Sequence, residues 1–269
     1  MNSGGSVELL DKTRMIQKLL NNNVSGKVVF SELCRVIGGI LKSNIMVISK
    51  KGKVLGYAEQ ENIPSLRSAL GGLIPDRVGA FIDHALNDRF LDVLSTHENV
   101  HLSMLGAVQE DGRDNMGIVA PIVIAGERLG TVFLYRAEQP FSIDDIILCE
   151  YGTTVVGLEM LRALSEETAE TNRKKNVVKS AIGTLSYTEM HAIVHIFEEL
   201  GGSEGILVTS KIADRAGITR SVVVNALRKF ESAGVIESRS SGMKGTYIKV
   251  LNDEVYSEMG KLQNKIATA

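Results

Sequence analysis

The stretch TSKIADRAGITRSVVVNALRKFESAGVIESRS, residues 209–240, leaves the chain few ways to fold. Two runs with helical apolar spacing are separated by Gly217, a residue type that turns a backbone at little steric cost. Thr209 or Ser210 opens the first helix, Ile218 can plug the turn, and Thr219 stands where the second helix needs a cap. At about 100° per residue, Val223, Ala226, Leu227 and Phe230 share one face of the second helix and must be its core side. Ser221, Asn225 and Arg228 lie opposite, flanked by Arg220 and Val224. After Gly234, the run VIESRSSGMKGTYIKVL reads as two strands around a Gly-rich basic turn that starts at Val235. Helix, tight turn, helix and hairpin in that order are the parts of a winged helix–turn–helix. A plain amphipathic surface helix explains the apolar stripe but not the order of the other parts.

Side-chain chemistry agrees with a groove-reading role. An arginine can hold guanine through two bonds, an asparagine can do the same for adenine, and an apolar group can meet a thymine methyl. Asn225, Arg228, Arg220 and Val224 offer that set, with Ser221 beside them. Thr219 at the helix start suits a backbone phosphate, as do Thr209, Ser210 and Lys211 at the start of the first helix. Arg239 and Lys244 in the wing can touch phosphate or the minor groove. The net charge of −2 conceals an asymmetry: residues 203–252 carry 8 Lys/Arg against 4 Asp/Glu, a local excess of +4.

The preceding chain has a different pattern. Leu9, Leu10, Met15, Ile16, Leu19 and Leu20, then Leu33, Val36, Ile37, Ile40 and Leu41, predict two helices joined at NNNVSG. NIMVISKKGKVLGYA and GIVAPIVIAGERLGTVFLYRA predict two hairpins whose strands are too apolar to be solvated on both faces. Between them, residues 59–115 give only short helices broken by Gly71, Gly72 and Pro75, the kind of insertion that forms binding loops. Ser142, with Asp145 three residues on, opens a long helix that becomes almost wholly polar from Ser165 to Lys175, as domain connectors do. Ser186 and Glu189 form a second capping box, and Gly201 and Gly202 end that helix. The expected fold is α+β: a sensor-like domain with an antiparallel sheet and helices over residues 1–154, a linker helix over 155–182, and the winged module over 183–269.

Several functions find little support. No apolar run approaches the roughly 18 residues of a membrane span, and the N-terminus lacks a signal layout, so a cytoplasmic protein without membrane contact is expected. Cys34 and Cys149 are isolated, which suits two buried thiols in a reducing compartment. His191 and His195 on one predicted helix, and likewise His97 and His101 in the insertion, stand four apart, but neither pair has a matching third ligand; Asp83, Asp88 and Asp92 lie near the second. There is no nucleophile elbow and no P-loop, so catalytic residues, metal and enzymatic activity are expected to be absent.

The run from Ser186 to Asn252, together with LLDKTRMI, SNIMVISKKGKVLGY, PIVIAGERLGT and ILCEYGTTVVGLEMLR, resembles the CodY family of nutrient-responsive global transcriptional regulators of Gram-positive bacteria. The resemblance covers most of the chain. It implies a GAF-like effector domain, a homodimer, and control, mainly repression, of amino-acid and nitrogen metabolism genes at AT-rich, inverted-repeat-like operators. It also implies effectors: the branched-chain amino acids isoleucine, leucine and valine, and in many members GTP. By the same resemblance Arg67 would hold the amino-acid carboxylate and Met46 would line its pocket, while Ser49, Lys50, Lys51 and Glu150 would hold the nucleotide. The family's methionines after the arginine are absent, and residues 72–115 depart from the family pattern. The rival reading is a constitutive DNA binder whose N-terminal domain only dimerises or senses another small molecule.

Overall fold

A strand that is apolar on both sides must be covered on both sides, and the N-terminal half of the chain is arranged around that demand. The computed structural model describes residues 3–22, 30–106, 115–137 and 139–267, so the NNNVSG turn lies largely outside the described residues. The chain divides into two compact units, Met1–Ser165 and Glu166–Ala269. In the first, β1 (Asn44–Ser49), β2 (Val54–Ala58), β3 (His97–His101), β4 (Asn115–Ile124) and β5 (Glu127–Ala137) form one sheet in the order β2-β1-β5-β4-β3. Among the described residues every strand pairing in this sheet is antiparallel. The two expected hairpins are present as β1–β2 and β4–β5.

Alternation along β1 assigns the two layers. Ile45 and Val47 face α1 (Ser3–Asn22), α2 (Phe30–Leu41) and the first turns of α5 (Ile143–Gly183), packing with Ile16, Leu33, Ile37, Leu148 and Val156. Met46 and Ile48 face the other way, against Leu66 and Leu70 from α3 (Leu66–Ala69) and its end, and Leu86 and Phe90 of α4 (His84–Leu91). The Phe90 and Phe133 rings meet at 5.3 Å. At Gly130, paired with Ser49, an added Cβ would lie 2.1 Å from the Ile48 carbonyl oxygen, so β1 and β5 approach there closer than any side chain permits. The insertion is therefore a cover for the second face, with one further strand. His97 and His101 lie on β3, not on a helix. β3 escaped the sequence reading because HENVH is polar and its strand character comes from pairing with β4.

The long helix α5 begins where expected: the Asp145 N–H donates to Ser142 Oγ at 3.2 Å, and the Ser142 N–H donates to the Asp145 carboxylate at 2.9 Å. Asp145 also receives Arg136 at 2.9 Å, and that guanidinium lies 4.0 Å from the Phe141 ring. From Glu166 the helix belongs to the second unit. There Lys174 Nζ meets Asp253 at 3.3 Å, and Asn252 donates to the Lys174 carbonyl.

The second unit contains α6 (Tyr187–Leu200), β6 (Glu204–Leu207), α7 (Thr209–Ala216), α8 (Arg220–Ser232), β7 (Ile236–Ser240), β8 (Thr246–Val250) and α9 (Glu254–Ala267). Its sheet runs β6-β8-β7. One core joins Val178, Ile193, Ile196, Ile212, Val223, Leu227, Phe230, Ile248 and Met259. β6 and α9 were not anticipated. β6 is four residues in a glycine-rich stretch and becomes a strand by pairing with β8; α9 advertises itself through buried Val255, Met259 and Leu262 at helical spacing.

The capping box of α6 is complete, with Glu189 returning a bond to the Ser186 N–H at 2.7 Å. The same carboxylate receives Lys229 Nζ at 2.7 Å, tying α6 to α8. The Lys229 bond first, and the Ser186 N–H second, hold the Glu189 carboxyl below its ordinary value of 4.5. A pKa lowered in the folded state stabilises fully above the unfolded value and loses that contribution as pH falls through the folded one. Glu189→Gln is expected to lower the stability of this unit at neutral pH by about 1–2 kcal/mol and to remove part of its acid sensitivity. Thermal unfolding at neutral and acidic pH reads both; an unchanged acid-induced drop in Tm would contradict the assignment.

Candidate functional site

The α7–α8 pair has the geometry that its sequence requires. Gly217 closes α7 with φ +65°, and the Ile218 N–H returns to the Ala213 carbonyl at 3.0 Å. Ile218 packs against the core, as do Val223, Ala226, Leu227 and Phe230, which are buried. Arg220, Ser221, Asn225 and Arg228 are exposed and Val224 is half-buried. The helical rise separates Arg220 from Arg228 by roughly 12 Å, so the two arginines serve opposite ends of one helix. Arg228 lines a groove of about 400 Å³ with Lys229, Ser232 and, from the end of α5 and the turn after it, Ser180 and Thr184.

The starts of α7 and α8 differ in detail from expectation. Thr209 is buried, so it leaves the exposed set, while Ser210 and Lys211 beside it are exposed. The amphipathic period of α7 turns Thr209 inward with Ile212 and Ala213. Thr219 occupies the N-cap of α8, but its hydroxyl meets Ser221 Oγ at 2.8 Å and makes no capping bond to the helix backbone. It is exposed.

Ion pairing sorts the basic residues of this unit into two groups. Arg215 is held by Glu199, Lys229 by Glu189 and Arg239 by Glu237. Among the described residues between 203 and 252, Lys211, Arg220, Arg228, Lys244 and Lys249 have no carboxylate partner. Those five cations are uncompensated by an ion pair, and an uncompensated charge contributes most to the field met by a polyanion. Composition counted all basic residues alike; only side-chain placement separates them.

In the first unit, Arg67 and Met46 meet in one cavity. It measures about 170 Å³ and is lined also by Tyr57, Glu59, Leu66, Ile74 and Asp76. Arg67 lies on α3, whose start is capped by Ser65 receiving the Ser68 N–H at 3.1 Å. Its guanidinium stands 3.5 Å from the Asp76 carboxylate, and the Tyr57 hydroxyl donates to the Asp76 carbonyl at 3.0 Å. Arg67 also borders a more open hollow of about 500 Å³ with Arg77 and Phe81. The cavity thus joins apolar side chains to one cation, Arg67, and two carboxylate residues, Glu59 and Asp76. Sequence reasoning missed Tyr57, Ile74 and Asp76 as cavity residues, because the turn of chain that brings Ile74–Asp76 over β1 and β2 is a tertiary event; Tyr57 alone had a signal, as an aromatic ending an apolar strand.

The nucleotide candidates are less convergent. Ser49 receives the Lys53 N–H at 3.1 Å inside the β1–β2 turn, and Lys50 and Lys51 are exposed there. Glu150 is exposed on α5, between Asp145, which meets Arg136 near the end of β5, and Gly157, which packs on Ile122 and Ile124. Among the described residues no hydrogen bond or ion pair joins it to the turn.

The remaining reactive groups are occupied or enclosed. Cys34 and Cys149 are buried, and burial pushes both thiols up to about 12. His195 pairs with Glu198 at 3.0 Å, and His191 packs edge-on against Tyr187. Asp83 caps α4, and Asp88 meets His84. No group of three or more His, Cys, Asp and Glu among the described residues can hold a metal ion, and no helix among them is long and apolar enough to cross a membrane.

Two family models match this chain: the CodY GAF-like domain over residues 8–184 and the CodY helix-turn-helix domain over residues 203–263. The chain belongs to the CodY family. The Global transcriptional regulator CodY of Clostridium beijerinckii is 47% identical over 95% of this chain and 99% of that protein. Its counterpart in Anoxybacillus flavithermus is 47% identical over 96% of this chain and 100% of that protein. A solved structure, the cofactor binding GAF domain of the nutrient sensor CodY from Clostridium difficile, is 32% identical, covers 57% of this chain and 97% of its own, and superposes with a TM-score of 0.40. As a CodY-family transcriptional regulator, the chain joins a GAF-like sensor domain to a DNA-binding helix–turn–helix, and residues 209–240 lie within the latter.

The division of labour on that surface is testable. Arg228→Ala is expected to weaken a preferred duplex more than a random one, by about 1–3 kcal/mol at the base pair it reads. Lys244→Ala is expected to weaken both alike and to reduce the salt slope by about one. Fluorescence anisotropy across a salt series measures both; equal, salt-independent losses would contradict the assignment.

Proposed function

We propose that the protein is a homodimeric, effector-gated regulator that mainly represses amino-acid and nitrogen metabolism genes in the cytoplasm, at AT-rich, inverted-repeat-like sites. The effector is a branched-chain amino acid, isoleucine, leucine or valine, and no catalytic activity is assigned. The observation that supports this reading is the shared cavity: Arg67 lines it together with Met46, Leu66 and Ile74, a guanidinium of the kind that takes a carboxylate through two bonds beside apolar side chains that suit an aliphatic tail. The DNA contacts are assigned to Ser210, Lys211, Thr219, Arg220, Ser221, Val224, Asn225, Arg228, Arg239 and Lys244. Gating requires the amino acid to bind the DNA-competent arrangement better than the other, by the same factor that DNA improves amino-acid affinity.

GTP at Ser49, Lys50, Lys51 and Glu150 is a further effector in this reading; among the described residues no hydrogen bond or ion pair joins Glu150 to the two lysines. The constitutive alternative has one observation in its favour: Asp76 already faces the Arg67 guanidinium, so an incoming carboxylate must compete with it.

Anisotropy of an AT-rich inverted-repeat duplex at one salt concentration, with and without isoleucine, decides between them. Tightening of about 5- to 150-fold is expected, and Arg67→Ala is expected to abolish the isoleucine-dependent part. Binding indifferent to isoleucine would overturn the amino-acid assignment.

A further inference from the structure

The wing carries a cation and its own anion on one strand. In β7, Ile236 points inward and is buried, so Glu237 and Arg239 project together from the opposite face. Arg239 donates from Nε to Glu237 Oε1 at 2.9 Å and from Nη2 to the same oxygen. The guanidinium side chain is nevertheless 74% exposed, at the edge from which the Gly242–Lys244 turn projects. Across the ladder, Tyr247 stands opposite Arg239 and Lys249 opposite Glu237. The Tyr247 hydroxyl donates to Glu204 at 2.7 Å, so the outward face of β6, β8 and β7 balances Arg239 and Lys249 with Glu237 and Glu204. Lys244 is left as the cation of the wing tip without a carboxylate partner among the described residues.

We propose that Glu237 is a built-in competitor for the DNA phosphate that Arg239 would otherwise hold, and that it sets how weakly the wing grips DNA of any sequence. This rests on the assignment of Arg239 to DNA. A phosphate that takes Arg239 must displace the carboxylate, and the freed Glu237 then attracts a cation from solution, so one fewer counterion is released overall. The wing's contribution is sequence-independent, because phosphates carry no base identity. Damping it leaves discrimination to α8 and raises the ratio of specific to random binding.

The experiment uses the full chain with an AT-rich inverted-repeat duplex and a scrambled duplex of equal length, titrated across a salt series. Glu237→Gln keeps the shape of the side chain and removes its charge. It is expected to tighten both duplexes about two- to fivefold and to steepen the salt slope by up to about one. The gain must vanish in the Glu237→Gln, Arg239→Ala double variant; a gain that persists there is general charge removal and overturns the proposal. Unchanged or weaker binding by Glu237→Gln, with Tm preserved and Arg239→Ala still damaging, overturns this inference alone. No effect of Arg239→Ala even in the Glu237→Gln background removes Arg239 from the DNA surface, and the proposal with it.

Discussion

The pairing of β1 with β5 is the constraint from which the N-terminal unit follows. Ile45 and Val47 on one side of β1, and Met46 and Ile48 on the other, are all buried, so neither face can be left to water. One face takes α1, α2 and the start of α5, elements with ordinary amphipathic stripes. The other is roofed by the insertion, whose helices are too short to be stable alone and exist because Leu66, Leu70, Leu86 and Phe90 have a sheet to cover. A roof made of short helices and loops does not close like a designed core. The cavity holding Arg67 and Met46 lies where that cover meets β1 and β2, and covering the sheet and making a pocket are one structural act.

The C-terminal unit obeys a different economy. Its core is continuous from α5 to α9, and its chemistry is decided by which charges are already satisfied. Lys229 is spent on Glu189 and the Thr184 carbonyl, a structural bond between α6, α8 and the end of α5. Arg215 is tied to Glu199, at the foot of α7. Arg220, Arg228 and Lys211 remain open on the helices. The same +4 excess would have a different meaning had the pairs been distributed otherwise, because Coulomb attraction for DNA depends on uncompensated charge within about a Debye length.

Much of this was legible in the chain because the interactions are local. Capping boxes at Ser142 and Ser186, the glycine at 217, the apolar face of α8 and both hairpins depend on residues within a few positions of one another, so spacing alone determines them. The family resemblance extended that reading to Arg67 and Met46, which the fold places in one cavity. β3 and β6 were not legible, since a polar or glycine-rich segment becomes a strand only when a partner strand, supplied from elsewhere in the chain, offers its hydrogen bonds. Thr209 was misplaced for a related reason: a hydroxyl at a helix start looks exposed until the core packed beneath it is known.

The sequence by itself determined the two hairpins of the first unit, the capped helices, the winged helix–turn–helix and which face of α8 turns outward, because strand and helical periods and glycine geometry act over a few bonds. Only the tertiary structure decided which cations stay free, which residues share the Arg67 cavity, and that Glu237 holds Arg239. Those outcomes depend on distances between side chains that backbone period does not encode: Asp76 reaches Arg67 across a loop, and Glu199 reaches Arg215 across two helices. Even the Glu237–Arg239 pair, two residues apart, required the strand that puts both on one face.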